Sequence, residues 1–209
     1  MSFLSLVISF AVSFALLLIA MTVHEFAHGL TAYLRGDSTA KLSGRLTLNP
    51  LAHIDLFWTL LLPFMLFITT SGRFVFGAAK PVPINYLSLK NPKRDIILIG
   101  LSGPLANFIL AALIAAVLKF VPLSGILAYL LFQLLTINVV LAVFNLIPIP
   151  PLDGSRVLMG LLPRSLATQY ANFERYGFII LFVFIWLGAL DRILWPLVGL
   201  VIRMLGVGS

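Results

Sequence analysis

Met21-Thr22-Val23-His24-Glu25-Phe26-Ala27-His28-Gly29-Leu30 is the stretch on which the reading of this chain turns. It sets three ionisable side chains within five residues, at the end of an apolar run that starts at Phe3 and carries no charge before His24. An ionisable group inside a membrane helix costs about 2.5 kcal/mol or more and is a functional candidate by default. On a helix, His24 and His28 stand at i and i+4 and project from one face. That spacing suits two ligands of one tetrahedral Zn²⁺. Glu25, offset by one position, can reach a water beside the metal without taking a ligand's place, which is the HExxH arrangement with Glu as general base. In soluble helices, histidines so spaced are more often surface residues. In an apolar segment an unpaired buried Glu is expensive, and the metal reading gains.

The rest of the chain says that its solvent is lipid. Of 209 residues, 61% are hydrophobic and 10% charged, and the mean hydropathy is +1.10; a soluble domain carries about a quarter charged residues. The fold class expected is an all-α polytopic membrane protein, one membrane-embedded domain over residues 1–209 with a core at about 3–160 and a C-terminal helical segment at about 176–205. With no cysteine, disulfides, thiolate metal sites and cysteine nucleophiles are excluded. The net charge of +7 comes from basic residues in short loops beside apolar runs, a topology signal and not a nucleic-acid footprint. The N-terminus lacks the basic region of a signal peptide and reads as a retained membrane helix.

The first helix is expected from about Phe3 to Leu34, with Gly36 as its stop. Residues 41–49 alternate polar and apolar and predict a short strand. Residues 56–70 are apolar, but Pro63 interrupts them, and a helix of that length reaches only about 22 Å, short of the roughly 30 Å hydrocarbon core. Extended chain is expected over 73–84, so 56–84 reads as a re-entrant segment, tolerated where protein buries it or where it lines a cavity. Further helices are expected at about 96–118 and 126–147, then a proline-rich break from Pro148 to Asp153. Residues 155–175 read as interfacial, and 177–205 as one tilted helix or two short ones.

Two histidines leave the coordination of a catalytic zinc unfilled, since three protein ligands are usual. Asp153 follows prolines that free the backbone from helix; from the residues alone, a ligand and a helix N-cap are equally good readings of it. His53 is a rival ligand, although its place in a turn suits a supporting or structural role better.

At these residues the sequence resembles the site-2 protease family of intramembrane metalloproteases. Three separated motifs carry the resemblance: His24-Glu25-Phe26-Ala27-His28, Ser102-Gly103-Pro104-Leu105-Ala106-Asn107, and Asn145-Leu146-Ile147-Pro148 through Leu152-Asp153-Gly154. The chain looks like the small prokaryotic branch without PDZ or CBS domains. The resemblance implies that His24, His28 and Asp153 hold one Zn²⁺ per chain and that Glu25 activates water. It implies that Asn145 orients the substrate backbone or stabilises the oxyanion, that Gly103 and Pro104 shape the helix beside the zinc, and that Asn107 contacts substrate or satisfies a helix carbonyl. It gives His53 no role. The function implied is hydrolysis of peptide bonds within or near transmembrane segments of membrane-anchored proteins, as regulated proteolysis or clearance of signal-peptide remnants. The partners are then a transmembrane substrate and the lipid bilayer, with no nucleic acid. A zinc transporter or sensor is the alternative class; Glu25 beside the ligands speaks against it.

If Asp153 meets His24 and His28, the first and the 126–147 helices run parallel and the 96–118 helix runs antiparallel. Residues 35–95 carry eight Lys/Arg, the 119–125 loop only Lys119, and residues 150–175 Arg156, Arg164 and Arg175. The positive-inside rule then puts the chain in the cell membrane with its N-terminus outside and the metal-bearing helix ends towards the cytoplasm.

Overall fold

A computed structural model describes residues 3–69, 77 and 79–207, with no β-strand among them. Helix α1 (Phe3–Leu34) is 32 residues long, about 48 Å and well over the roughly 30 Å of a hydrocarbon core. It ends where the N–H of Gly36 donates to Tyr33 O and that of Asp37 to Ala32 O. Gly36 takes φ +108° there, a left-handed stop that glycine adopts without a Cβ penalty. The chain then makes a single short turn of helix, α2 (Thr39–Leu42).

The strand expected over 41–49 does not form. The N–H groups of Leu42, Ser43, Gly44 and Arg45 turn back to the carbonyls of Ser38, Thr39, Lys41 and Ala40. Alternation of side chains specifies a strand only where a partner strand offers a ladder, and here local turns take the backbone bonds first. A 3₁₀ turn, Pro50–His53, follows.

Asp55 caps the next element, accepting from the N–H groups of Phe57 and Trp58. A π-helical stretch, Leu56–Leu61, runs directly into α3 (Leu62–Thr69). The Phe67 ring lies 4.6 Å from that of Phe10, fourteen residues or about 21 Å along α1 from His24. The chain is back by Lys80, whose N–H donates to His53 O at 2.9 Å. The chain therefore leaves and rejoins the bundle beside the His24–His28 end of α1. Of the stretch read as extended, 73–84, residues 73–76 and 78 lie outside the described residues. Residues 79–85 hold no regular structure before a 3₁₀ turn at Tyr86–Ser88.

Helix α4 (Pro92–Phe120) begins with proline at a position that needs no N–H. It packs against α1, against α5 (Gly125–Asn145) and against α6 (Asp153–Leu161). Ala111 and Ala115 of α4 meet Leu135, Val139 and Val143 of α5; small residues let membrane helices approach closely where lipid supplies no hydrophobic drive. Leu194 and Val198 join this cluster from α9 (Ala189–Met204). Between them run α7 (Arg164–Phe173) and α8 (Gly177–Trp186). The C-terminal apolar region is thus two helices, with α9 set at 79° to the α7–α8 run after Gly188. Among the described residues, three helices, Val7–Leu34, Pro92–Phe120 and Gly125–Asn145, are long and apolar enough to cross a membrane, and the bent pair Arg164–Trp186 and Ala189–Met204 makes a fourth span if taken together. The fold is an all-α polytopic membrane protein.

Candidate metal centre

The site is built where α1 and α4 lie antiparallel and α6 begins. The two long helices meet at three heights, one turn apart. His28 sits beside Ile99, with its Nδ1–H donating to the Ile99 carbonyl at 2.7 Å. His24 sits beside Gly103, and the carbonyl of Ala20 sits beside Asn107. Helix α5 runs parallel to α1: Gln133 Nε2 donates to Ser13 Oγ at 2.8 Å, and further along both helices Asn138 and the Ala20 carbonyl share the Asn107 amide. The proline-rich break after α5, which holds a cis Pro150-Pro151 peptide, delivers Asp153 to the same spot.

Three ligand atoms converge. His24 Nε2 is 2.9 Å and His28 Nε2 3.1 Å from Asp153 Oδ2, and the two Nε2 atoms are 3.0 Å apart. Among the described residues, these three form the His/Asp/Glu group placed to hold a metal ion, and all three are buried. A tetrahedral ion with N and O ligands at about 2.0–2.1 Å spaces its ligand atoms by about 3.3 Å. The observed triangle is that arrangement contracted by a few tenths of an ångström. Both Nδ1 atoms face acceptors, which leaves the Nε2 lone pairs directed into the triangle. Asp153 is the first residue of α6 and makes no capping bond; the preceding residue, Leu152, is the N-cap.

Gly103 forms one wall. A Cβ there would lie 2.5 Å from His28 Nε2 and 2.7 Å from His24 Nε2, so the site exists only against bare backbone. Pro104 follows it in the interior of α4, fully buried. Asn107 is fully buried too. Its Oδ1 accepts from His24 Nδ1–H at 2.6 Å, while its NH₂ donates to Ala20 O at 3.1 Å and to Asn138 Oδ1 at 2.7 Å. It holds a ligand and has no donor left for a substrate. Arg156, one turn along α6, puts Nη1 3.5 Å from the other oxygen of Asp153.

Glu25 stands outside the triangle, and its Oε2 accepts from the N–H of Val82 at 2.9 Å. It lines a cavity of ≈ 450 Å³ together with His24, His28, Asp153, Asn145 and Arg156. The apolar side of that cavity includes Trp58, Pro81, Phe144, Phe178 and Leu181, and the rings of Trp58 and Phe178 stack across it at 5.9 Å. Asn145 Nδ2 donates to Leu141 O at 3.0 Å, and the same NH₂ carries a second hydrogen. His53 lies outside the cluster. It is buried with Nε2 on Thr47 O at 2.9 Å, and it touches neither ligand by hydrogen bond.

Asn138, Arg156, the Ile99 carbonyl and the Val82 N–H take part without having been singled out in the sequence. Asn138 left a signal, as an amide in the otherwise apolar stretch from Ile137 to Phe144 of α5, and Arg156 left one as a charge beside Asp153. A main-chain group leaves none.

Residues 12–134 and 121–188 match peptidase family M50. "Putative zinc metalloprotease YwhC" of Bacillus subtilis (strain 168) is 36% identical over 192 residues, spanning 88% of this chain and 84% of that protein. "Putative zinc metalloprotease Rip2" of Mycolicibacterium smegmatis is 31% identical over 192 residues, spanning 92% of this chain and 73% of that protein. No solved structure matches the chain significantly.

Proposed function

The chain belongs to peptidase family M50, and from that premise we propose that it is an intramembrane zinc metalloprotease acting on peptide bonds within or near transmembrane segments of membrane-anchored proteins. One observation carries the reading: His24, His28 and Asp153 converge on a single point inside an apolar helical core, with Glu25 on the cavity that opens onto it. His24 Nε2, His28 Nε2 and Asp153 Oδ2 would hold Zn²⁺, which when bound supplies Lewis acidity.

The remaining chemistry belongs to the chain's own groups. Glu25 takes a proton from the attacking water and delivers it to the leaving amine nitrogen. Its offset from the two histidines on α1 keeps it out of the ligand set. The second amide hydrogen of Asn145 is available to the scissile carbonyl oxygen or the neighbouring substrate backbone. Arg156 engages one oxygen of Asp153 and leaves the other to face the histidines. A substrate helix keeps its carbonyls in its own hydrogen bonds, so it must unwind locally before it fits the cavity.

The same charge asymmetry supports a cell-membrane protein with its N-terminus outside and the cavity towards the cytoplasm. Among the described residues, Arg35, Lys41, Lys90, Lys93 and Arg94 sit at the end of the bundle where α1 finishes and α4 begins, and Lys119 sits at the other end of α4. The test is cleavage of a membrane-anchored substrate reconstituted in liposomes. Wild-type enzyme cleaves it, and Glu25→Ala enzyme does not; cleavage by the variant at the wild-type rate overturns the assignment of the base.

A further inference from the structure

We propose that Asn138 is a positioning residue of the metal centre: acting through Asn107, it fixes which ring nitrogen of His24 faces Asp153. The inference rests on the metalloprotease reading for its purpose, but its geometry stands on hydrogen bonds alone.

The bonds form a chain whose polarity can run only one way. It starts at the Leu134 carbonyl in α5, which can only accept, and Asn138 Nδ2 donates to it at 2.8 Å. That fixes the Asn138 amide with Oδ1 turned towards α4. Asn107 must then present its NH₂ to this oxygen at 2.7 Å, and its second amide hydrogen meets another pure acceptor, the Ala20 carbonyl, at 3.1 Å. Asn107 Oδ1 is therefore left facing His24 Nδ1 at 2.6 Å. An oxygen acceptor there requires a proton on Nδ1, so in the neutral ring the lone pair lies on Nε2, which faces Asp153 Oδ2.

Amide orientation is assigned from such networks and not from the atoms themselves, and here every alternative fails. Turning Asn107 over sets its oxygen against both Asn138 Oδ1 and Ala20 O. Turning Asn138 as well only moves the clash of acceptors to Leu134 O. Asn107 and Asn138 are both fully buried, so water cannot relieve a mismatch. His28 has its tautomer set directly by the Ile99 carbonyl. His24, one turn deeper, reaches a suitable carbonyl only through two amides.

The test compares Asn138→Leu, Asn138→Asp and Asn107→Leu, alone and combined, in full-length protein in detergent micelles. Zinc affinity is measured by chelator competition, and the His24 tautomer by nitrogen-15 signals of histidine-labelled, metal-free protein. Direct partners of metal-ligating histidines are worth roughly 10–100-fold in metal affinity, and a partner one step removed is expected at about 3–10-fold. Asn138→Leu should show that loss and a mixed His24 tautomer. Asn138→Asp, whose neutral carboxyl keeps the acceptor for Asn107 and donates its O–H to the Leu134 carbonyl, should bind zinc within about threefold of wild type. In the Asn107→Leu background, Asn138→Leu should add nothing, because the link is already cut.

Equal losses in both backgrounds, or an unchanged tautomer and affinity in Asn138→Leu, overturn the proposal. If the leucine variants do not fold, Asn138→Ser, too short to reach Asn107, replaces them as the loss variant beside Asn138→Asp. Proteolysis is not the readout. Wild-type protein that binds zinc without cleaving substrate would sink the proposed function and leave this inference to the tautomer data.

Discussion

Replacing Gly103 by alanine adds one methyl group and is expected to weaken zinc binding on the order of 100-fold. The added Cβ falls 2.5 Å from His28 Nε2 and 2.7 Å from His24 Cε1 and Nε2, where ordinary contact begins at 3.4 Å. The deficit is 3.4 − 2.5 = 0.9 Å at His28 and 3.4 − 2.7 = 0.7 Å at His24. If the rings move, ligand atoms in a triangle with sides of 2.9–3.1 Å shift by about a quarter of their spacing. If α4 retreats instead, the bonds from His28 to Ile99 O and from His24 to Asn107 lengthen from 2.7 and 2.6 Å towards about 3.5 Å, where they cease to be hydrogen bonds. Both routes dismantle the site. Overpacking of this kind costs about 1–3 kcal/mol in stability, and zinc affinity should fall on the order of 100-fold, the upper end for disturbing a ligand's support. Chelator competition reads the affinity, and a melting curve in detergent reads the stability. Gly199→Ala in α9 is the matched control, since a Cβ there meets nothing within 4 Å; its zinc affinity should equal wild type. Gly103→Ala protein that holds zinc within about threefold of wild type would refute the claim that bare backbone is what makes room for the metal.

Glu25→Gln should lower proteolysis by roughly 10²–10⁴-fold while zinc content, measured by elemental analysis, stays at the wild-type level. Asp37 is buried and its burial opposes ionisation, yet bonds from Thr39 and from the Asn85 N–H hold its carboxyl below its ordinary 3.8. A depressed acid contributes stability above its unfolded value that is lost as pH falls through the folded one. The protection factors of the Thr39 and Asn85 amides, taken against their intrinsic exchange rates, should therefore fall only below pH 3.8, and protection factors that drop at neutral pH would contradict it. The chain has no native cysteine, so single-cysteine variants report topology cleanly: Arg35→Cys and Lys90→Cys should label from the cytoplasm, and Lys119→Cys from outside. Labelling of all three from one side would sink the proposed orientation.

How far the sequence could be read depended on the range of the interaction. His24, Glu25 and His28 are legible because helical periodicity and the cost of a buried charge act within five residues. Asp153 is not legible that way. From its neighbours it could equally be a cap, and only the resemblance and then the convergence of chain segments make it a partner of His24. The re-entrant reading of 56–84 rests on a length too short to span; the Lys80–His53 bond holds the two flanks together, and residues 70–76 and 78 lie outside the described residues. The strand at 41–49 failed because alternation describes side chains while the backbone bonds were satisfied locally. Asn107 was open between substrate and helix carbonyl, and burial decides for the interior. The break after Gly188 resolved a C-terminal ambiguity that apolar composition alone leaves open.

The three heights at which α1 meets α4 also index the two helices against each other. Positions 20, 24 and 28 descend one helix as 107, 103 and 99 climb the other, each pair one turn from the next. A residue inserted within either triplet would advance everything beyond it by about 1.5 Å and 100°, and all three pairs could no longer be met at once. The same insertion in the loop at 121–124 would only add slack. The metal centre thus acts as a vernier between two long helices, and the spacing of its motifs is a tolerance, written in whole turns.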